Sequence, residues 1–263
     1  MNHCIAIINI FDQDARRLLD FALSQGFEGI DWTVDQWQSK GDFLSSMECL
    51  KPVEVRFHCP FQGVDIGYAD ARRAASSLAV LTETMERIAM AGRKHMTVHT
   101  GFGRVSQEEL DFKKALQNLT TLVRRGADLG VIVSLENLAS QWTSLPELFY
   151  ELVQQSGAGV TLDIGHAHVC ASRDVEGRVF ERYLLPNRSR IFNAHIYHTE
   201  ARGEGHVAPA GIEDICDRVA LLMEVPSCDW WVIELKKIDD ILRTREMLSH
   251  CLEGHLRQMP LPL

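Results

Sequence analysis

The sequence lacks any apolar run that approaches the roughly 20 residues needed to cross a bilayer. Its first ten residues carry neither the basic start nor the small-residue cleavage site of a signal peptide, so we expect a cytoplasmic protein without a membrane partner. The seven cysteines form an odd, scattered set that contains no C-x-x-C pair. This distribution excludes a disulfide scaffold and predicts reduced thiols.

Basic residues are in the minority, with 27 Lys and Arg against 36 Asp and Glu and a net charge of −9 over 263 residues. This balance argues against long-range attraction to nucleic acid or anionic lipid. The hydrophobic share of 46% and the charged share of 24% exclude collagen-like and disordered chains. No linker or low-complexity stretch interrupts the sequence, so we interpret residues 1–263 as one domain.

Short apolar runs alternate along the chain with longer segments of helical period, which is typical of an α/β protein. The runs with strand character are residues 4–10, 27–32, 53–58, 95–100, 131–137, 159–164, 191–197 and 230–235. Strict alternation predicts parallel strands joined by right-handed crossovers. Eight repeats within about 250 residues fit a single closed (β/α)8 TIM barrel better than an open doubly wound sheet.

Every predicted strand ends its apolar run with a polar or ionisable residue. These residues are Asn9, Asp31, His58, His99, Glu136, Asp163, His195 and Glu234. Strand C-termini converge on one mouth of such a barrel, where the active site lies. Any one of them can be explained as a hydrogen-bonded cap. Burying several ionised groups without partners costs several kcal/mol each. A single divalent cation is therefore the simpler explanation for the six that would converge: His58, His99, Glu136, Asp163, His195 and Glu234.

Segments at these residues resemble the xylose isomerase-like TIM-barrel superfamily, and they occur in the family's order. They are GFEGID (26–31), FHCPF (57–61), VHTG (98–101), LENL (135–138), LDIGHAH (162–168), HIYH (195–198), GHVAPAGIED (205–214) and VIEL (232–235). This superfamily includes sugar isomerases and epimerases, hydroxypyruvate isomerases, inosose dehydratases and type-IV apurinic endonucleases.

The resemblance implies which residues bind the metal and the substrate. The implied four metal ligands are Glu136, Asp163, His195 and Glu234. His166, three residues after Asp163, is implied to contact substrate or a second metal. The remaining matching positions, which hold additional zinc ions in the endonucleases and often line the substrate pocket in the isomerases, are His58, His99 and His206.

Two departures from the family pattern fall near the seventh strand. His198 stands where the family commonly has Asp, and the usual G-x-G after the late histidine is reduced to Ala210-Gly211. The pocket wall at this point is therefore the least transferable part of the resemblance.

Three carboxylates and one imidazole suit one divalent cation of the Mn²⁺, Mg²⁺ or Co²⁺ type, with manganese our first choice and zinc an open alternative. The ion would chelate a hydroxy-ketone or hydroxy-aldehyde and stabilise the enediolate left by proton removal. Glu136 and Glu234 come from strands three steps apart around the ring, so one would take the proton and the other return it. The sequence thus predicts a catalytic pair, with a sugar or sugar derivative as the partner.

Further substrate contacts are predicted beyond the strand ends. His166 and Arg202 would hydrogen-bond the developing oxyanion, although Arg202 is equally explained as an exposed loop cation. Trp32, Phe61 and Trp142 follow strands two, three and five, and their rings would pack against the apolar side of a sugar. The alternative for all three rings is that they cover apolar pocket wall.

Two other functions stay open. A multi-zinc phosphodiesterase acting on abasic DNA is supported by the extra histidines and by Glu204, two residues before His206. The predicted mouth loops contain few Lys or Arg to neutralise phosphates, which disfavours a nucleic-acid partner. A non-catalytic or partner-dependent metal-binding barrel is disfavoured because a binder does not need two facing carboxylates. A homodimer is the default expectation for the oligomeric state.

Overall fold

The computed structural model describes residues 3–102, 105–172, 179–201 and 203–258. Its strands are β1 (Cys4–Ile8), β2 (Gly29–Thr33), β3 (Glu54–His58), β4 (His95–Val98), β5 (Ile132–Glu136), β6 (Gly159–Asp163), β7 (Ile191–Ile196), β8 (Thr199–Ala201), β9 (Gly205–Val207) and β10 (Trp230–Ile233). Eight of them close into a parallel barrel in the order β1, β10, β7, β6, β5, β4, β3, β2. The predicted (β/α)8 barrel is confirmed.

The described helices surround this barrel. They are α1 (Ala15–Gln25), α2 (Lys40–Cys49), α3 (Ala71–Met90), α4 (Phe112–Leu129), α5 (Pro146–Ser156), α6 (Ile164–Ala171), α7 (Val179–Asn187), α8 (Cys216–Met223) and α9 (Ile238–Gln258). Asp14, Asp70 and Asp111 begin α1, α3 and α4 by accepting hydrogen bonds from backbone N–H groups of the first turn. None of the described helices has a stretch that is both long and apolar enough to span a membrane.

Side chains alternate along each strand between the inside of the barrel and the layer between the barrel and its helices. Residues that face outward pack against the helices in the main apolar core, which includes the fully buried rings of Phe57 and Phe149. Inward residues of β1 and β10 form a small apolar cluster that includes Ile8 and Val232. Because successive side chains point to opposite faces, each strand supplies one residue set to each interior.

Polar groups fill the lower part of the barrel. The hydroxyls of Thr97 and Thr161 lie 2.8 Å apart, and Asn193 Nδ2 donates to Thr161 Oγ1 at 3.0 Å. Arg56 Nη1 donates to Asn193 Oδ1 at 2.6 Å, and its guanidinium lies 4.7 Å from the ring centroid of Trp230. This bonded network lies inside the barrel, away from the strand C-termini.

Two local predictions differ from the structure. The strand predicted over residues 159–164 ends one residue earlier, at Asp163, and α6, which was not predicted, begins at the next residue. The hairpin formed by β8 and β9 lies outside the barrel and is absent from the predicted strands. Both differences lie at the mouth, on the side where the seventh strand ends.

Candidate metal centre and active site

Four side chains from four adjacent barrel strands converge at the mouth. Glu136 ends β5, Asp163 ends β6, His195 lies in β7 and Glu234 follows β10 directly. Asp163 and His195 are register partners on neighbouring strands. Each residue offers one ligand atom, and these four atoms all lie within 4.8 Å of one another. A single ion can therefore contact all four groups.

The converging atoms approach one another closely but are poorly aligned for hydrogen bonds. His195 Nδ1 lies 2.9 Å from Glu234 Oε2, 3.5 Å from Glu136 Oε1 and 3.6 Å from Asp163 Oδ2. Within the described chain, His195 Nδ1, Asp163 Oδ2 and Glu234 Oε2 nevertheless have no hydrogen-bond partner of acceptable geometry. All three residues are buried, and buried polar atoms without partners are costly. Their arrangement fits a divalent cation held at the centre of the four.

The two oxygens of Asp163 have different surroundings. Oδ1 accepts a hydrogen bond of 2.7 Å from the backbone N–H of His166 and so caps α6. Oδ2 is left facing the other ligand atoms. Asn137 fixes the backbone at this point, because its side chain donates to Asp163 O at 2.9 Å and accepts from Asp163 N at 2.8 Å. The helix cap and the Asn137 clamp together orient one oxygen toward the centre.

Opposite charges in the cluster outweigh the effect of burial. Burial would raise the pKa of Glu136, but charge on His195 and the close approach of the His166, His195 and His58 rings hold it well below its ordinary value. Burial would also raise the pKa of Glu234, but charge on His195 and His206 lowers it to about 2. Burial would lower the pKa of His195, yet Glu234 and Glu136 raise it well above its ordinary value. The metal-free cluster therefore holds ionised glutamates around a protonated imidazole.

His58 and His99 extend the cluster toward β3 and β4. His58 Nε2 lies 3.1 Å from Glu136 Oε2, and this ionised partner raises the pKa of His58 although burial opposes it. The ring of His99 lies 5.2 Å from that of His58, between centroids, and stacks on Phe102 at 4.5 Å. Burial lowers the pKa of His99 to about 3, so its ring is neutral. These contacts place both predicted histidines beside Glu136.

His166 and His206 flank the opposite side. His166 Nδ1 lies 3.2 Å from Asp163 Oδ2, and its pKa is raised to about 9, because Asp163 and Glu136 outweigh burial. His206 Nδ1 lies 3.0 Å from the backbone oxygen of Glu234. The β8–β9 register pairs Glu200 with His206, which brings His166, Glu200 and His206 into one group with ligand atoms within 4.8 Å. Glu200, and not Glu204, is the carboxylate of this group.

Tyr197 is a site residue that the sequence reasoning missed. Its ring stacks on His206 with 4.0 Å between centroids and meets the edge of His166 at 5.9 Å. Gly165 makes room for this ring, because a Cβ atom there would lie 2.0 Å from Tyr197 Cε2. The motif HIYH contained the residue, but its contact with His206 depends on the hairpin, which the sequence did not predict.

The aromatic predictions are only partly supported by position. Phe61 lies at the mouth, 6.2 Å from the ring of His99. Trp32 follows inward-facing Asp31 and must point to the opposite face of β2, where it packs in the outer core. Trp142 packs with Tyr68 and neighbouring apolar residues in a satellite core. Both rings are thus buried among apolar residues, which favours the alternative that they cover apolar wall, and their substrate contacts stay predictions. Arg202 lies outside the described residues.

The remaining two strand-end residues do not reach the four-ligand centre. Asn9 links β1 to β2, since its Oδ1 accepts from Thr33 N at 2.7 Å and its Nδ2 donates to Thr33 O at 3.2 Å. Asp31 is fully buried inside the barrel and accepts a hydrogen bond of 3.4 Å from Trp230 Nε1. Burial raises the pKa of Asp31. Both residues thus act in the barrel framework.

The chain matches a known family over most of its length. The profile described as "Xylose isomerase-like TIM barrel" matches residues 19–239, so the chain belongs to this family. A curated relative, the uncharacterized protein MJ0008 of Methanocaldococcus jannaschii, is 25% identical over 202 residues, which are 76% of this chain and 80% of that protein.

Solved structures share the whole architecture. A D-tagatose 3-epimerase-like protein superposes with a TM-score of 0.75 and 19% identity, covering 97% of this chain and 98% of its own. Endonuclease IV from Thermus thermophilus gives a TM-score of 0.69 and 16% identity, covering 95% of this chain and 99% of its own. At these identities the likeness establishes the fold. The structural neighbours thus include both enzyme classes that the sequence analysis considered.

Proposed function

We propose that the protein is a divalent-metal-dependent isomerase or epimerase of a sugar or a related small hydroxy-ketone or hydroxy-aldehyde. The observation that carries this proposal is the convergence of Glu136, Asp163, His195 and Glu234 within 4.8 Å, with buried atoms that lack hydrogen-bond partners. The epimerase-like fold neighbour adds support. Manganese is our first choice for the ion, because three of the four ligands are carboxylates.

A divalent cation at this site polarises a carbonyl group and offsets the negative charge left when a neighbouring C–H proton is removed. Glu136 and Glu234 supply the proton transfers. Each glutamate has one oxygen near the shared centre and the other near a histidine: Glu136 Oε2 lies 3.1 Å from His58 Nε2, and Glu234 Oε1 lies 3.9 Å from His206 Nδ1. The first distance is within hydrogen-bond range, so Glu136 can exchange a proton with His58. His206 Nδ1 instead lies 3.0 Å from the backbone oxygen of Glu234, so Glu234 has no comparable contact with it.

The direction of transfer follows from the charges. The lowered pKa of both glutamates makes each of them ionised at neutral pH and able to accept a proton from carbon. The glutamate that returns a proton must first receive one, and for Glu136 the donor in reach is His58. Removal by one glutamate and return by the other to the opposite face is epimerisation, whereas return to the adjacent carbon is isomerisation.

The test is solvent deuterium incorporation into a panel of ketoses and aldoses, followed by proton NMR with the manganese-loaded protein. We expect deuterium at the carbon next to the carbonyl of the true substrate. Glu136→Gln and Glu234→Gln should each slow exchange by about 10²- to 10⁴-fold, the range of a general base. Glu48→Gln, the same change at an exposed residue of α2, is the matched control. Exchange at the wild-type rate in either active-site variant would remove that glutamate from the mechanism.

A multi-metal phosphodiesterase is the second candidate. The observations that favour it are the additional groups His58–Glu136–His195 and His166–Glu200–His206, each with ligand atoms within 4.8 Å, and the endonuclease IV fold neighbour. Duplex DNA with a single abasic site tests it directly. We expect no strand cleavage at physiological salt with manganese or zinc, and efficient incision would favour the phosphodiesterase over the isomerase.

A further inference from the structure

A second cleft opens at the mouth beside the candidate metal centre. It has a volume of about 180 Å³ and lies among the segments that follow β1, β2 and β3. The residues of its lining that matter here are Gln13, Asp35, Gln36, Trp37, Phe61 and Gln62. Clefts for drug-sized ligands measure roughly 300–1,000 Å³, so this one is the size for a single small ring.

Aromatic rings connect the cleft to the metal centre. Phe61 lines the cleft, and its ring centroid lies 6.2 Å from that of His99 and 5.1 Å from that of Phe102. His99 in turn lies 5.2 Å from His58, which contacts Glu136. The cleft therefore adjoins the side of the candidate metal centre on which His58 and His99 lie.

Trp37 is highly exposed at the cleft, with 72% of its surface accessible. Its backbone is held in place, because Asp35 Oδ1 accepts a hydrogen bond of 2.9 Å from the Trp37 backbone N–H. Gln36 Nε2 donates to Gln62 O at 3.0 Å and ties the segment after β2 to the segment after β3. The apolar core does not use this indole, and an ordered, exposed aromatic face in a cleft is suited to stacking on a ligand.

The polar groups of the lining identify the ligand chemistry. Within the described chain, the side-chain amides of Gln13 and Gln62 make no hydrogen bond, and an amide both donates and accepts, as a hydroxyl does. Among the residues that the structure describes, the lining contains one carboxylate, that of Asp35, and no Lys or Arg. A phosphate needs cationic donors and would be repelled by Asp35. An aromatic face with free amides instead matches an uncharged, hydroxylated ring.

We propose that this cleft is a subsite for an uncharged sugar ring, which the substrate carries beyond the carbons that react. The substrate class is then a glycoside-like sugar, and not a phosphorylated monosaccharide. The assignment of the reacting end rests on the proposed function, whereas binding of a sugar ring beside Trp37 does not depend on it.

Tryptophan emission of the manganese-loaded protein reports this subsite. Trp32, Trp142, Trp230 and Trp231 are buried, so a change in emission on adding a sugar reports Trp37. The probes are cellobiose, an uncharged disaccharide, and glucose 6-phosphate. We expect saturable emission changes with cellobiose at millimolar concentration and none with glucose 6-phosphate over the same range. Equal binding of the phosphate, or no response to cellobiose up to about 100 mM, would overturn the proposal.

Calorimetric measurement of cellobiose affinity in substituted proteins tests whether the sugar binds at Trp37. Trp37→Ala should weaken cellobiose at least ten-fold, while Trp37→Phe keeps a flat ring and should bind within about three-fold of wild type. Tyr150→Ala, at an exposed aromatic on α5 outside the cleft, is the matched control and should bind as wild type does. Circular dichroism checks that each variant is folded. Cellobiose binding that survives Trp37→Ala would place the sugar elsewhere and end the proposal.

These experiments test the sugar subsite separately from the proposed isomerase or epimerase activity. Cellobiose binding that depends on Trp37, together with no deuterium exchange in any sugar, would support the subsite and contradict the proposed function. If exchange is found with a glycoside, Trp37→Ala should raise KM about ten-fold with little change in kcat. A change from dimer to monomer in Trp37→Ala, without sugar binding by wild type, would identify the face as a subunit contact and overturn the subsite.

Discussion

Removal of the divalent cation should destabilise the whole protein, because the centre concentrates negative charge in a buried space. Two unit charges 4.8 Å apart repel by about 3.5 kcal/mol at an effective dielectric constant of 20. Three carboxylates share this space with one imidazole, so the protonated His195 offsets only part of that repulsion. A bound cation therefore stabilises the folded state, in which alone the four ligands meet.

The expected size follows from ligand linkage. A cation present at about 100 times its Kd stabilises the fold by about 2.7 kcal/mol, which for a chain of this size corresponds to about 5–11 °C in Tm. Differential scanning fluorimetry of EDTA-treated protein, before and after manganese is restored, measures the difference. Metal analysis of the same samples gives the stoichiometry.

Asp163→Asn separates the metal effect from the structural role of this residue. An asparagine oxygen can still accept the 2.7 Å hydrogen bond from His166 N that caps α6, while one negative charge at the centre is lost. We expect the metal-free Tm to stay the same or rise and the manganese-dependent increase to shrink. Glu48→Gln should keep the full increase. A Tm that is identical with EDTA and with manganese, in wild-type protein that binds no metal, would refute the reasoning about this centre.

Two further predictions concern the same side of the mouth. The pKa of His195 is raised well above its ordinary value, so a proton competes with the metal for this ring. The affinity for Mn²⁺ should therefore rise up to ten-fold per pH unit between pH 6 and 8, and an affinity that does not vary with pH would contradict this. Gly165→Ala should lower the free energy of unfolding in urea by about 1–3 kcal/mol, because the new methyl group would collide with the Tyr197 ring. The control Gly41→Ala, in α2, should raise it by about 0.5–1 kcal/mol. Equal effects of the two substitutions would show that Tyr197 moves aside.

The barrel and the convergence of its strand-end residues were predictable because both depend on short-range pattern, whereas the choice of four metal ligands among those residues came from the family resemblance. Apolar runs of strand character ended in Glu136, Asp163 and His195, and the ends of parallel strands in a barrel meet at one mouth. The outward orientation of Trp32 was also predictable, since it follows inward-facing Asp31 on the same strand. That orientation favours packing in the outer core over the predicted sugar contact, which was inferred from position near a strand end without strand alternation.

The missed features depend on contacts between distant residues. Asp163 begins α6 only because its side chain is free to cap the helix, and the apolar residues that follow it also fit a strand. The roles of Glu200 and Tyr197 depend on the β8–β9 hairpin, which places His206 against both residues. A turn signal was present in the glycines of RGEG, where Gly203 and Gly205 have φ values of 88° and 79°. It could have predicted the hairpin, but not the residues that pack on it.

The order of strands around the barrel divides the mouth into two halves with different tasks. The four proposed metal ligands come from β5, β6, β7 and β10, which are consecutive neighbours. The cleft with Trp37 lies among the segments after β1, β2 and β3, on the opposite half, and His58 and His99 of β3 and β4 stand between them. If Trp37 binds a sugar ring as proposed, substitutions in its half of the mouth should alter which sugar binds without moving a proposed metal ligand.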